Sequence, residues 1–488
     1  MSDDIVRLAN SVLWPGFLGT ELPEWLRSEL IGELAGVVYF GQNISDELAT
    51  LSAGIHAANP HALIGIDEEG GSVTRLEVAH GSTLPGAAQL GVVDDVDASR
   101  ATGAELARRV REVGIDVVLG PVADVNTDPR NPVIGVRSFG ADAGLVSRHV
   151  AAMVDGMQGG GAAACVKHFP GHGDTHLDSH HALPIIELDV DEIERVHLEP
   201  FRAAIAAGVD MIMTAHIVVP AWGAQPATLN ADVLGRLRTM GFDGVIVTDA
   251  LDMAAIRESV GLGGGAVAAL RAGADLLSIG NPTNPGAAAD ARQDELDFHA
   301  VRDAIVAALR DGTLPRERVE QARDRVRALA AKLASSTAAP ADYDGAHIVR
   351  RALGGTATAD AADTALAVID ARRRSTLAVD SAASYVADAL AGDGFRVRLD
   401  TERADEAEAA AALAAAVSAD GRVVVLLDRP DVDDAQRALV ERAAAQDAHA
   451  VVVNVGLPAR RSLPLPVVEV GAASRVGAEA ARAALLGR

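Results

Sequence analysis

Cysteine is almost absent. Cys165 is the single one in 488 residues, so no internal disulfide can form, which fits a reducing compartment. It lies in the apolar run 162–166, where a small buried packing residue is expected rather than a nucleophile. Basic residues are scarce relative to acids: 43 Lys and Arg stand against 68 Asp and Glu, a net charge of −25. Nucleic acid and anionic membranes both select basic surfaces, so neither is an expected partner. The acidic excess selects no substrate and reads as a solvated surface. No uninterrupted apolar stretch approaches the roughly 20 residues of a membrane helix. MSDDIVRLAN, at the start, has neither a basic n-region nor a long apolar run and is not a secretory signal. The cytoplasm is the expected location. The glycine clusters at 261–265 and 354–357 match no phosphate-binding fingerprint; the first reads as a turn beside a helix. Spacing suited to structural zinc is also missing.

What is present is an ordinary folded composition, 49% hydrophobic and 23% charged. The length exceeds the roughly 250–300 residues that one core spans, so two domains are expected. The first two thirds repeat a short apolar run, a polar or glycine-rich loop and an amphipathic stretch. The runs are 11–17, 36–40, 62–67, 116–124, 163–169, 211–217, 244–249 and 274–280. They are short, often β-branched and apolar on both faces, as buried parallel strands are. The first, with its WPGF sequence, could equally be an N-terminal arm. Stretches such as 98–113, 145–158, 191–207 and 230–240 carry helical periodicity. Eight runs favour a (β/α)8 TIM-type barrel over a doubly wound sheet. A Pro-containing, small-residue linker follows. Five further runs, at 365–369, 395–399, 423–427, 450–455 and 466–470, predict a smaller αβα sandwich domain. The expected boundaries are 1–334 for the barrel, 335–346 for the linker and 347–488 for the second domain.

Asp67, Asp124, Lys167, His168, His216 and Asp249 all fall at or beside the end of an apolar run. In a barrel those ends meet on one face, where barrel active sites lie. Each residue has two readings. Asp249, closing GVIVTD, is a nucleophile or base, or an N-cap of the next helix. Asp67, in IGIDEEGGSVTRL, starts a helix or grips two sugar hydroxyls. Lys167 donates to sugar hydroxyls or makes a salt bridge to Asp67 or Asp124. Arg137, in NPVIGVRSFG, has the same two readings, with surface solvation as a third. Asp178, two positions before His180, can fold its carboxylate onto the imidazole and fix its tautomer. Such a pair is a competent acid/base near neutral pH. Its spacing is common, and His168, His172, His176, His180 and His181 together also suit a metal. Gly171 and Gly173, around His172, suggest a positioned turn.

Taken together, these blocks resemble glycoside hydrolase family 3, and within it the β-N-acetylglucosaminidase branch. KHFPGHGDTHLDSH at 167–180 matches the signature of that branch. GIDEEGG, DVN followed by NPVIGVRSFG, MTAHI and VTDALDM resemble its other blocks in the right order, over about residues 11–334. The C-terminal segment resembles, by position and pattern, the αβα domain of many members. The resemblance implies Asp249 as the nucleophile of a covalent glycosyl-enzyme, and His180 as the acid/base oriented by Asp178. It implies Asp67, Arg137, Lys167 and His168 as ligands of the sugar, with His216 lining the same pocket. It implies no metal and no cofactor. One position departs: Ser72 stands where the branch often has a basic residue, which would alter the rim of the pocket.

The activity implied is that of a retaining exo-β-N-acetylglucosaminidase acting on muropeptide or chitin-derived oligosaccharides in the cytoplasm, as in peptidoglycan recycling. A β-glucosidase and a phosphorylase of the same family are the alternatives. A non-catalytic carbohydrate-binding role would be expected had the nucleophile or the dyad been missing. Monomer and homodimer are equally compatible with the sequence.

Overall fold

The computed structural model describes residues 2–175, 183–284, 290–336, 343–359, 365–373 and 385–488. The chain forms two compact units. One comprises Met1–Glu68, Ser99–Ile134 and Ala141–Asp342. The other comprises Glu69–Ala98, Gly135–Gly140 and Tyr343–Arg488. The second unit therefore takes two excursions from the stretch of chain that otherwise builds the first.

The first unit is a parallel barrel. Its strands are β1 (Leu13–Pro15), β2 (Gly36–Tyr39), β3 (Leu63–Ile66), β4 (Val117–Val118), β5 (Ala163–Phe169), β6 (Met211–Thr214), β7 (Val245–Val247) and β8 (Leu277–Gly280). Strands β2 to β7 pair in sequence order, all parallel. β8 pairs with β1, and a parallel bridge from Val247 to Leu276 carries the wall from β7 to β8. The WPGF segment is thus a wall strand and not an arm. Near its start, Ala35 N donates to Asn10 O at 3.0 Å, tying the segments that lead into β2 and β1.

Strand side chains alternate between two faces. Leu63, Val117, Ala163, Cys165, Met211, Met213, Val245 and Val247 share one buried cluster with Trp14. The alternate residues Ile64, Ile66, Ala164, Val166, Ile212 and Ile246 are equally buried, toward the surrounding helices. A stripe on the helix Arg316–Ala334, Val326, Leu329, Ala330 and Leu333, joins the Trp14 cluster. The same helix pairs Lys332 with Asp210 at 2.6 Å and Arg325 with Asp275 at 3.1 Å, just before β6 and β8. It therefore lies at the N-terminal ends of the strands, opposite their polar ends. The glycine cluster at 261–265 is part of a helix, Gly261–Ala272, and not a turn. A Cβ at Gly263 would lie 2.6 Å from Ala304 Cβ, so the glycine permits close helix packing.

The second unit is built on a six-stranded sheet. Its strands are β9 (Gly354–Gly355), β10 (Leu366–Asp370), β11 (Arg396–Arg398), β12 (Arg422–Leu427), β13 (Val451–Asn454) and β14 (Val467–Glu469), in the order β11-β10-β12-β13-β14-β9. All pairs are parallel except β14 with β9. Leu366, Val368, Val424, Leu426, Val451 and Val453 bury one face with the helices Tyr385–Ala391 and Arg475–Leu485. Ala367, Ile369, Val423, Val425 and Val452 bury the other with Glu406–Ser418 and Asp434–Gln446. This is the αβα sandwich expected from the five apolar runs. The β9 edge carries no apolar signal.

Trp14 fills the barrel interior, donating from Nε1 to Leu63 O at 2.7 Å. Gly65, next on the same inward face, is glycine because a Cβ there would lie 2.3 Å from the indole ring. Gly65→Ala is expected to destabilise the barrel by about 1–3 kcal/mol, the usual range for overpacking. A urea titration checks this. An unchanged midpoint would mean that the indole does not seat on Gly65.

Candidate active site

Alternation decides which side chains reach the mouth of the barrel. Leu63 and Gly65 face inward, so Asp67, two residues on, continues that face beyond the end of β3. By the same parity Lys167 follows Ala163 and Cys165, and Asp249 follows Val245 and Val247. Lys167 is buried and sets its Nζ 2.6 Å from Asp67 Oδ1, while the Asp67 side chain remains 21% exposed. The charges of Lys167, Asp67 and Asp249 all act on the buried Cys165 thiol. Burial pushes that thiol far above its ordinary range, as suits a packing residue.

Asp124 is wholly buried at the end of the segment after β4 and accepts hydrogen bonds from His168 and His172. His168 Nδ1 lies 2.7 Å from its Oδ2; the amides of His168 and His172 donate to Oδ1 at 3.3 and 2.6 Å. Burial favours the protonated acid. The His168 charge and hydrogen bond, with the contribution of His172, outweigh it and hold the carboxyl below its usual value. A carboxylate accepting at Nδ1 keeps a proton there and leaves Nε2 for other partners. His172 is itself buried, with Nδ1 2.8 Å from Thr175 Oγ1. Burial lowers its pKa to about 4, with the charges of Asp124 and Asp249 opposing the shift.

Asp249 stands two residues past β7, and its Oδ1 accepts the amide of Ala250 at 2.8 Å. The helix that follows, Ala254–Arg257, takes Met253 as its N-cap, so Asp249 does not cap it. His216 is fully buried. Its Nε2 lies 2.9 Å from Ala250 O, and its Nδ1 lies 3.0 Å from Thr228 Oγ1. Both ring nitrogens are thus engaged by protein groups. The residue fixes the segment that carries Asp249. Arg137 lies in the second unit. It makes a bidentate pair with Glu69, Nε to Oε2 at 2.9 Å and Nη2 to Oε1 at 2.7 Å, with both side chains nearly buried. Asp178 and His180 lie outside the described residues, as do His176 and His181. Among the described residues, no group of three His, Cys, Asp or Glu is arranged to hold a metal ion.

Sequence reading left out Asp124 and Glu69 as site members, and Thr228 altogether. Asp124 had a signal, since it ends an apolar run. Glu69 and Thr228 had none, because their roles are to hold other side chains.

A parallel barrel whose strand ends gather two carboxylates, a lysine and an oriented histidine has the layout of a barrel enzyme. Residues 18–329 match the model of the glycosyl hydrolase family 3 N terminal domain, and the chain belongs to that family. It is 32% identical over 352 residues to the beta-hexosaminidase A of Pseudoalteromonas piscicida, a match covering 65% of this chain and 57% of that one. It is 37% identical over 285 residues to the beta-hexosaminidase of Stenotrophomonas maltophilia (strain R551-3), covering 55% and 82%. The chain thus spans little more than half the length of the first of these relatives. Its structure is similar to that of a glycoside hydrolase family 3 beta-N-acetylglucosaminidase from Paenibacillus sp. str. FPU-7. The TM-score is 0.83 at 30% identity, over 99% of this chain and 96% of that one.

The buried histidines have a consequence for stability. His172 titrates near 4 when folded and near 6.5 when unfolded, so the unfolded chain binds more protons between those values. Its contribution is complete above about pH 6.5 and is lost as pH falls toward 4. His197, buried with neither ring nitrogen hydrogen-bonded among the described residues and its pKa lowered by burial, acts in the same direction. Urea titrations are expected to show His172 costing about 2 kcal/mol between pH 7 and pH 5. His172→Gln should lose correspondingly less over that interval. An equal loss in the variant would refute the assignment.

Proposed function

We propose that the protein is a retaining exo-β-N-acetylglucosaminidase that releases terminal β-linked N-acetylglucosamine from muropeptide or chitin-derived oligosaccharides. The observation that carries this reading is the Lys167–Asp67 pair past the inward residues of β5 and β3, with Asp249 at the matching inward position past β7 and His168 oriented by Asp124. The names of the relatives support the sugar, and the 167–180 signature supports the branch.

In this reading Asp249 attacks the anomeric carbon and forms a covalent glycosyl-enzyme through an oxocarbenium-like state. His180, oriented by Asp178, protonates the leaving oxygen and later takes a proton from the incoming water; both roles rest on the signature. The Asp67–Lys167 pair presents an acceptor and a donor to adjacent hydroxyls, and His168 presents Nε2. Arg137 binds the sugar as a planar donor held by Glu69. His216 acts on Asp249 through the backbone of Ala250. Unlike a second carboxylate, His180 is neutral once it has protonated the leaving group. Phosphate as well as water is then electrostatically tolerated as the acceptor. The proposed setting is the cytoplasm, in recycling of peptidoglycan fragments.

Asp249→Ala is expected to lower turnover of a nitrophenyl N-acetyl-β-glucosaminide by on the order of a thousandfold or more, with folding retained. Near-wild-type activity would sink the nucleophile assignment. His180→Ala should slow substrates with poor leaving groups far more than activated ones; a uniform loss would count against an acid/base role. Assay of the wild-type enzyme with and without phosphate is expected to give free N-acetylglucosamine in both. Accumulation of the sugar 1-phosphate would make it a phosphorylase, and preference for the nitrophenyl glucoside a β-glucosidase.

A further inference from the structure

The second unit contains a run of contacts that the chemistry of the barrel mouth does not account for. It runs from the turn after β14 through Ser72 to Arg137. Ser72 is not on a rim. It is 5% exposed, and its Oγ accepts the amide of Ala473 at 2.9 Å. It sits inside a tight turn in which Val73 N donates to Gly70 O and Glu69 N donates to Val73 O, both at 3.1 Å. Gly70 and Gly71 have φ of +77° and +56°, the left-handed region that glycine favours. Pinning Ser72 therefore pins the backbone of Glu69.

Gln89 ties the same excursion down again. It is buried, and its amide works at both ends. Oε1 accepts Gly86 N at 3.0 Å, and Nε2 donates to Val470 O at 2.9 Å. Val476 N donates to Ser82 O at 3.2 Å, and Arg351 reaches Asp95 at 3.1 Å. The helix Ala87–Val93, which carries Gln89, meets the Arg137 segment from the other side: a Cβ at Gly91 would lie 1.8 Å from Phe139 O. Residues 69–98 are thus a layer fastened to the 470–476 turn along one edge and to 135–140 along the other.

We propose that the 470–473 turn of the C-terminal sheet positions Arg137 for sugar binding, acting through Ser72, Gln89 and Glu69. The inference rests on the reading of Arg137 as a sugar ligand. Ser72 and Gln89 are positioning residues that touch no substrate. A bidentate pair transmits orientation as well as charge, because the plane of the carboxylate sets the plane of the guanidinium. A backbone shift of about 1 Å at Glu69 would misalign the fork, and displacements of that size matter to bound geometry.

The test is a set of variants of the full chain. Ser72→Ala is expected to raise KM for the nitrophenyl N-acetyl-β-glucosaminide about three- to tenfold, with kcat within about twofold, as loss of uniform binding does. Ser72→Thr, which keeps the hydroxyl acceptor, is expected to restore KM. On an Arg137→Ala background, Ser72→Ala should add no further rise, since it acts through the missing group. A Ser72→Ala variant with a lower melting temperature but unchanged KM would overturn the proposal, as would full additivity with Arg137→Ala. Hydrogen exchange gives a readout independent of activity. Amides of 135–140 are expected to exchange about tenfold faster in Ser72→Ala, while those of β5 are unchanged. Unaltered exchange at 135–140 overturns the bracing. If the wild-type protein cleaves no acetylglucosaminide, the functional reading fails, and the exchange result still decides the bracing.

Discussion

A residue two positions beyond an inward-facing strand residue must face inward as well. In this barrel that constraint does most of the placing. Trp14 and the alternate residues of the strands close the interior with apolar side chains, so on β3, β5 and β7 the polar residue of matching parity beyond the buried pair is delivered to the mouth. Asp67, Lys167 and Asp249 arrive there for the same reason: each is the next inward position after a fully buried pair. The chemistry at the mouth depends on the packing beneath it, because a strand that slipped by one residue would turn its polar end group outward.

Charge at the mouth is held by pairing. Asp124 is the deepest example, with no exposure and with donors from His168 and His172 directed at it. Burial alone would neutralise it; the donors keep it ionised, and it in turn sets the proton on His168. Lys167 and Asp67 form a second pair, less buried on the carboxylate side. Within the second unit, Arg137 and Glu69 are paired in the same way. In the Asp124–His168 and Glu69–Arg137 pairs the sequence marks one partner as a candidate ligand and the other fixes its geometry; in the Lys167–Asp67 pair it marks both.

The second unit is more than a domain appended at the C-terminus. It recruits residues 69–98 and 135–140, so segments that follow Asp67 and Asp124 along the chain fold with the C-terminal sheet. Ser72 shows how a departure from a family pattern acquires a meaning. Its hydroxyl stands where the resemblance leads one to expect a basic side chain, and it accepts a backbone amide from the turn after β14.

Much of this was legible in the chain. The eight apolar runs gave the barrel and five later ones gave the sandwich, because burial on both faces leaves a continuous apolar signature. The short pair Val117–Val118 still read as a strand because its flanks are apolar; the Gly354–Gly355 edge, with no side chains to bury, did not. The glycines at 261–265 read as a turn because their helical role is to admit Ala304, a neighbour some 40 residues away in sequence. Asp67, Lys167 and Asp249 were marked by their place at the ends of apolar runs, and the 167–180 block carried the resemblance to the family. Tertiary structure alone decided the partners. Which carboxylate meets His168, that His216 holds Ala250 O, that Glu69 clamps Arg137 and that Ser72 meets Ala473 are matters of residues 34 to 401 positions apart. Local sequence fixes the face a side chain takes, because alternation is a property of the backbone. It cannot fix what lies across from that face, because that depends on how separate strands and loops come together.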